Sequence, residues 1–224
     1  MAESAFFFDS QIVGFELETN NFQKEYVVQG EASQAACQKF CELIINYGRQ
    51  DRGRAIRILE MTSGKGGKLV GTLRYLKEQV SKENFPVINW VAVDDSPYQL
   101  DMLHKNVAPL VREFFSGINL TIKQIDWTKV SNSAIDSEFD FVWCDAPCTG
   151  FGSLSKLPQI ALTRGKNAIS EAEKLNILQK ELVRAGVSVT KDRGLFFYSV
   201  CTLTRQETLD IVDYLRDKHK LTLK

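Results

Sequence analysis

Three stretches of the chain carry side chains that could do chemistry. DAPCTGFGSL (145–154) follows the apolar run FDFVWC with a carboxylate at Asp145, a rigid Pro147, a thiol at Cys148 and then glycines. A plain turn needs the glycines and the proline but neither the acid nor the thiol. YSVCTLTRQE (198–207) places a second thiol, Cys201, just past another apolar run. EMTSGKGGK (60–68) is a glycine-rich turn carrying Glu60, Lys65 and Lys68. A thiol beside an acid suits covalent chemistry on a bound substrate. Residue types alone do not choose which thiol attacks.

The glycine-rich turn lets backbone approach a ligand, and a helix start behind it would offer N–H donors. Its glycines, Gly64, Gly66 and Gly67, do not have the spacing of the dinucleotide fingerprint. The distance from Gly64 to Lys68 is too short for a phosphate-binding loop. A nucleoside cofactor without a pyrophosphate, such as S-adenosylmethionine, is the better fit. The competing reading is a tight strand-to-helix turn. The cofactor candidates here are Glu60, Thr62, Ser63, Gly64, Lys65, Gly66, Gly67 and Lys68, with Asp145 beside them. Asp94 ends a later apolar run and suits the paired hydroxyls of a ribose. Asp95 is adjacent, and spacing does not separate the two. Asp126 suits an adenine amino group or, equally, a helix N-cap before WTKV.

These residues must be positioned by regular elements. EASQAACQKFCELIINYG (31–48) has apolar residues Ala35, Ala36, Phe40, Leu43, Ile44 and Tyr47 at three- and four-residue steps, a helical pattern that Gly48 could cap. Strands are expected at 55–61, 85–95, 119–126, 139–145 and 193–201. Helices are expected from the glycine turn to about Val80, from Pro97 to about Phe115, and over 171–191 and 205–219. Pro97 suits a helix start, where its missing N–H costs nothing. Alternating strands and helices predict an α/β fold with a doubly wound, mostly parallel sheet. In strand order 3-2-1-4-5 the ends of strands four and five would lie side by side, bringing Cys148 and Cys201 together at the ligand-binding edge. Residues 1–29 read as a lead-in, and 30–224 as one catalytic domain.

Composition narrows the class. The 224 residues are 44% apolar and 25% charged, ordinary for a globular protein. Twenty-eight basic residues balance 28 acidic ones, so no overall basic excess marks a nucleic-acid binder, although a local patch remains compatible. The five cysteines are odd in number and lack a CxxC pair. This points away from a disulfide framework or zinc site and towards a reducing, intracellular setting. MAESAFFFDS lacks the basic start of a signal peptide, and no apolar run nears the about 18 residues of a membrane span. Cys37, Cys41 and Cys144 read as core residues, His104 and His219 as surface residues.

From about Tyr26 onwards the chain resembles the catalytic domain of the Sun-type RNA cytosine-5 methyltransferases, the nucleolar proliferation-antigen-like family. DAPCTGFGSLSKLP resembles that family's DAPCSGTGxLRRxP, and YSVCTLTRQE its YSTCSLxxxEN. VVQGEASQAA (27–36) is similar to its lead helix, and MTSGKGGK to its CAAPGGK. The turn departs from the pattern at Glu60 for Asp, Thr62 for Cys and Lys65 for Pro, and Gln99 stands where arginine is frequent. The resemblance implies a Rossmann-like class I methyltransferase using S-adenosylmethionine on rRNA or tRNA. It implies Cys201 as nucleophile on C6 of a flipped cytosine, Asp145 near N3, and Cys148 in removal of the C5 proton and product release. In the family two more strands follow the last helix. KLTLK (220–224) stands where the first would begin, so a shortened domain, or one relying on another RNA-binding region or partner, is expected.

Overall fold

The computed structural model describes residues 29–50, 54–81, 86–114, 117–129, 138–154, 158–164 and 167–219. The expected lead-in (apart from Gln29), the motif residues 155–157 and KLTLK lie outside these. The elements are α1 (Glu31–Gln50), β1 (Ile56–Glu60), α2 (Gly67–Gln79), β2 (Ile88–Asp94), α3 (Pro97–Phe114), β3 (Ile118–Gln124), β4 (Phe139–Asp145), a 3₁₀ turn (Phe151–Ser153), α4 (Gln159–Arg164), α5 (Ala168–Ser188), β5 (Thr190–Ser199) and α6 (Leu209–His219). The strands form one sheet in the order β3-β2-β1-β4-β5, the order expected from the sequence. The β1–β4 and β4–β5 pairs are parallel. No described helix is long and apolar enough to cross a membrane. Chain contacts divide the molecule into two compact units, one holding residues up to Ile56, Ser63–Ala92 and Ser96–Ile122, the other Arg57–Thr62, Val93–Asp95 and residues from Lys123 onwards.

In the first unit, α1 buries Cys37, Phe40, Cys41 and Ile44, one stripe at helical spacing. Ala35 is exposed, so the stripe runs through the two cysteines, which serve as small apolar residues. Burial pushes the Cys41 thiol up to about 12. Phe40 meets Trp90 of β2 edge-on, with ring centroids 6.1 Å apart. Gly48 does not cap α1, which runs on to Gln50. A Cβ on Gly71 of α2 would lie 2.8 Å from Cys37 Sγ, so glycine lets α1 and α2 close together.

In the second unit, β4 is buried at every position except Asp145. A strand covered on both faces needs the continuous apolar run that FDFVWC supplies. Val183 of α5 forms a cluster with Ile211 and Leu215 of α6, against Phe196 and Tyr198 of β5. Strand β5 begins at Thr190, earlier than expected, because buried Asp140 draws in Lys191 at 3.0 Å while accepting the Arg57 N–H at 2.8 Å. Helix α6 begins four residues later than expected, because residues 204–208 bend inward to deliver Glu207 to the interior. His104 is exposed, whereas His219 is half-buried with its ring 5.5 Å from that of Tyr214.

A Cβ on Gly186 of α5 would stand 2.3 Å from a Phe196 ring carbon and 2.7 Å from Met61 Sδ. Gly186→Ala would regain up to about 1 kcal/mol of helix propensity. Overpacking against the half-buried Phe196 ring and the buried Met61 sulfur costs about 1–3 kcal/mol or more and wins. Urea unfolding is expected to show a net loss of about 1–2 kcal/mol. A variant as stable as the parent would contradict this packing.

Candidate active site

The thiol-bearing turns lie at the adjacent carboxyl ends of β4 and β5. Register pairs Asp145 with Ser199, and Ala146 N–H bonds Ser199 O at 2.9 Å just beyond. Trp143 Nε1–H donates to Ser199 Oγ at 2.9 Å, and Ser199 Oγ–H donates to Asp145 Oδ1 at 2.7 Å. Trp143 is fully buried, so this relay fixes Asp145 from inside the sheet. Thr62 Oγ1–H adds a bond to Asp145 O at 2.9 Å.

Beyond these bonds, Cys148 Sγ and Cys201 Sγ lie 3.0 Å apart, and Cys201 N–H points to Cys148 Sγ at 3.2 Å. Cys201 is exposed and Cys148 half-buried. The Cys148 thiol is pushed up, first by its bond to Cys201 and then by burial. Either sulfur can donate to the other. The glycines allow the approach. Gly150 has φ of 76°, and Gly152 N–H bonds Cys201 O at 3.0 Å. A Cβ on Gly152 would meet the Cys201 carbonyl oxygen at 3.0 Å. Cys144 is fully buried with a raised pKa, a core residue.

Sequence reading assigned no role to Glu207, which lies fully buried beneath this pair. Its Oε1 accepts Thr149 N–H at 2.9 Å and Gln179 Nε2–H at 3.1 Å. Its Oε2 accepts Thr149 Oγ1–H at 2.6 Å and Thr204 Oγ1–H at 2.7 Å. With the Thr149 hydroxyl donating to Glu207, the Thr202 hydroxyl donates to Thr149 Oγ1 at 2.8 Å. Gln179 also holds Pro147 O at 2.8 Å. The available signal was an acid among threonines next to both cysteines.

The cofactor candidates fall at three strand ends. Glu60 is buried at the end of β1, and Asp94 is the half-buried last residue of β2, with Asp95 exposed beyond it. Asp126 follows β3. Its Oδ1 accepts the Thr128 N–H at 3.0 Å and the Thr128 hydroxyl at 2.6 Å, and Oδ2 meets Lys129 Nζ at 2.6 Å. Lys129 and then Thr128 hold its carboxyl well below the usual range, at about 2. The carboxylate therefore serves its own turn over Trp127–Lys129.

The glycine turn itself is in the first unit. Gly64 and Gly66 have φ of 52° and 82°. Gly66 N–H closes on Ser63 O at 2.9 Å, and α2 starts at Gly67. A Cβ on Gly66 would strike Val107 of α3 at 2.7 Å, so space and conformation both demand glycine. Asn106 Nδ2–H fastens Lys65 O at 2.9 Å, and Gln29 Nε2–H fastens Gly67 O at 2.7 Å. A Cβ on Gly64 would meet nothing within 4 Å. The turn thus presents open backbone ahead of a helix start, which fits a nucleoside cofactor carrying an amino-acid carboxylate. Lys65 Nζ lies over the exposed Tyr98 ring, 5.6 Å from its centroid. Among the described residues no His, Cys, Asp and Glu cluster could hold a metal ion.

The model of the 16S rRNA methyltransferase RsmB/F family matches residues 50–224. The chain belongs to this family. Ribosomal RNA small subunit methyltransferase B of Pasteurella multocida is 29% identical over 160 residues, 70% of this chain and 33% of that protein. The probable ribosomal RNA small subunit methyltransferase B of Bacillus subtilis is 28% identical over 120 residues, 52% of this chain and 26% of the relative. The chain thus spans no more than about a third of these RsmB/F relatives. The crystal structure of PH0851 is similar in fold, with a TM-score of 0.66 and 20% identity, over 90% of this chain and 40% of that one. The fold is the Rossmann-like one of class I S-adenosylmethionine-dependent methyltransferases. Thr62, which stands where the resembled CAAPGGK motif has cysteine, bonds the backbone of Asp145 through its hydroxyl.

Proposed function

We propose that the chain is the catalytic core of an S-adenosylmethionine-dependent RNA cytosine-C5 methyltransferase that works through two cysteines on rRNA or tRNA. The observation that carries this reading is the pair of thiols 3.0 Å apart beside an anchored Asp145. Cys201, exposed and beside Cys148, is the nucleophile: its thiolate adds to C6 of a flipped cytosine, making C5 electron-rich. Asp145, held by Ser199, hydrogen-bonds the base near N3 and stabilises the charge that develops there. S-adenosylmethionine supplies the electrophilic methyl group that C5 takes up. Cys148, having lost its own proton to solvent, takes the C5 proton as thiolate while the C6–S bond breaks and Cys201 leaves as thiolate.

Of the cofactor candidates, Ser63, Gly64, Lys65, Gly66, Gly67 and Lys68 supply backbone donors and charge for the amino-acid end. Glu60 and Thr62 are further candidates for the cofactor, and Asp94 takes the ribose hydroxyls. Asp126 retains acceptor capacity for an adenine amino group beyond its bonds to Thr128 and Lys129. Both thiols must stay reduced for this chemistry, which fits a reducing, intracellular compartment. Because phosphate contacts supply most nucleic-acid affinity, a sequence of zero net charge would draw on a further RNA-binding region or partner.

Incubating the chain with small-subunit rRNA and methyl-labelled cofactor tests the reading, with label expected at cytosine C5 by bisulfite sequencing. Calorimetry with S-adenosylhomocysteine separates the alternative suggested by the altered turn. No binding at millimolar ligand would indicate a non-catalytic domain that binds RNA or a protein.

A further inference from the structure

We infer that Glu207 is a positioning residue that clamps the two thiol-bearing turns together, an inference that builds on the reading of Cys148 and Cys201 as the reacting pair. A carboxylate is costly to bury, and a well-packed apolar residue would commonly be no less stable. Here all four groups donating to it are neutral, and three of them come from the two motifs. Thr149 follows Cys148 directly, and Thr202 follows Cys201. The relay from Thr202 to Thr149 to Glu207 therefore joins the residues next to each thiol. Thr204 pulls the second turn onto the same oxygen, and Gln179 ties Pro147 and Glu207 to α5. Apolar packing could hold the strands together, but it lacks the direction to set two sulfurs 3.0 Å apart. A slip of about 1 Å in such a pair is enough to lose much of its reactivity.

The test reads thiol proximity without RNA or cofactor. Equilibration with oxidised glutathione converts the two thiols to one intramolecular disulfide, releasing two molecules of reduced glutathione. Mass spectrometry compares that bridge with the singly glutathionylated forms. The full-length parent is expected to form the Cys148–Cys201 bridge. Glu207→Gln keeps the shape but replaces an acceptor oxygen with a donor group, and should shift the balance at least about 10-fold towards mixed disulfides. Thr204→Val should shift it in the same direction by a smaller factor, and Thr204→Ser, which restores the hydroxyl, should return it to the parent value. Thr204→Val and Thr204→Ser decide alone if Glu207→Gln does not fold. The inference is overturned if the folded variants stay within twofold of the parent, or if the parent forms no bridge. Failure of methyl transfer in the separate RNA assay would count against the proposed function and leave this result standing.

Discussion

Cys201→Ala is expected to lower methyl transfer to RNA by at least about three orders of magnitude while cofactor binding stays within twofold. Without the C201 sulfur no covalent bond to C6 forms, and C5 of cytosine is too weak a nucleophile to take a methyl group unaided. The proposed role fits the exposure of the pair: Cys201 is exposed, whereas Cys148 is half-buried. The assay is single-turnover transfer of labelled methyl, alongside calorimetry with S-adenosylhomocysteine. Wild-type transfer by the variant would sink the covalent mechanism. Equal loss of transfer and cofactor binding would point instead to a damaged fold.

The second large effect is qualitative. Cys148→Ala should still form the bond to C6 and pass the methyl group to C5, but lose the group that removes the C5 proton. A covalent protein–RNA adduct should therefore accumulate, visible as a slow band in a denaturing gel, while turnover falls about 10²–10⁴-fold. The double variant Cys148→Ala, Cys201→Ala should give no adduct. Absence of a band from the single variant would remove Cys148 from product release. A band surviving in the double variant would mean that another nucleophile is at work. Together the two variants give opposite outcomes from thiols that look alike in composition and lie side by side.

The fold was legible because its pattern is local. FDFVWC is short, rich in aromatic residues and bounded by a Pro/Gly turn, as a strand buried on both faces is, and the α1 stripe repeats at helical spacing. The strand order followed from alternating elements and the connection rules for parallel sheets, and that order brought the ends of β4 and β5 together. Boundaries were less legible where long-range polar contacts override local preference. Asp140 lengthens β5 at its start, and Glu207 delays α6. The 3₁₀ turn and α4 after the DAPC turn were missed, since neither has enough residues to show a period.

Sequence by itself determined the class of fold, the two thiols, the acid at Asp145 and the glycines that let the turns bend, because residue type and spacing encode these directly. The resemblance gave the two thiols different roles, and the tertiary structure added that Cys201 is exposed and Cys148 half-buried, since exposure depends on what surrounds each sulfur. Only the tertiary structure showed Asp126 bound into its own turn, and the glycines at 66 and 152 meeting Val107 and the Cys201 backbone. Glu207 belongs to the same set. In sequence it is one acid in a polar stretch. In the fold it gathers hydroxyls from both cysteine motifs, because the parallel pairing of β4 and β5 carries two distant turns to one place.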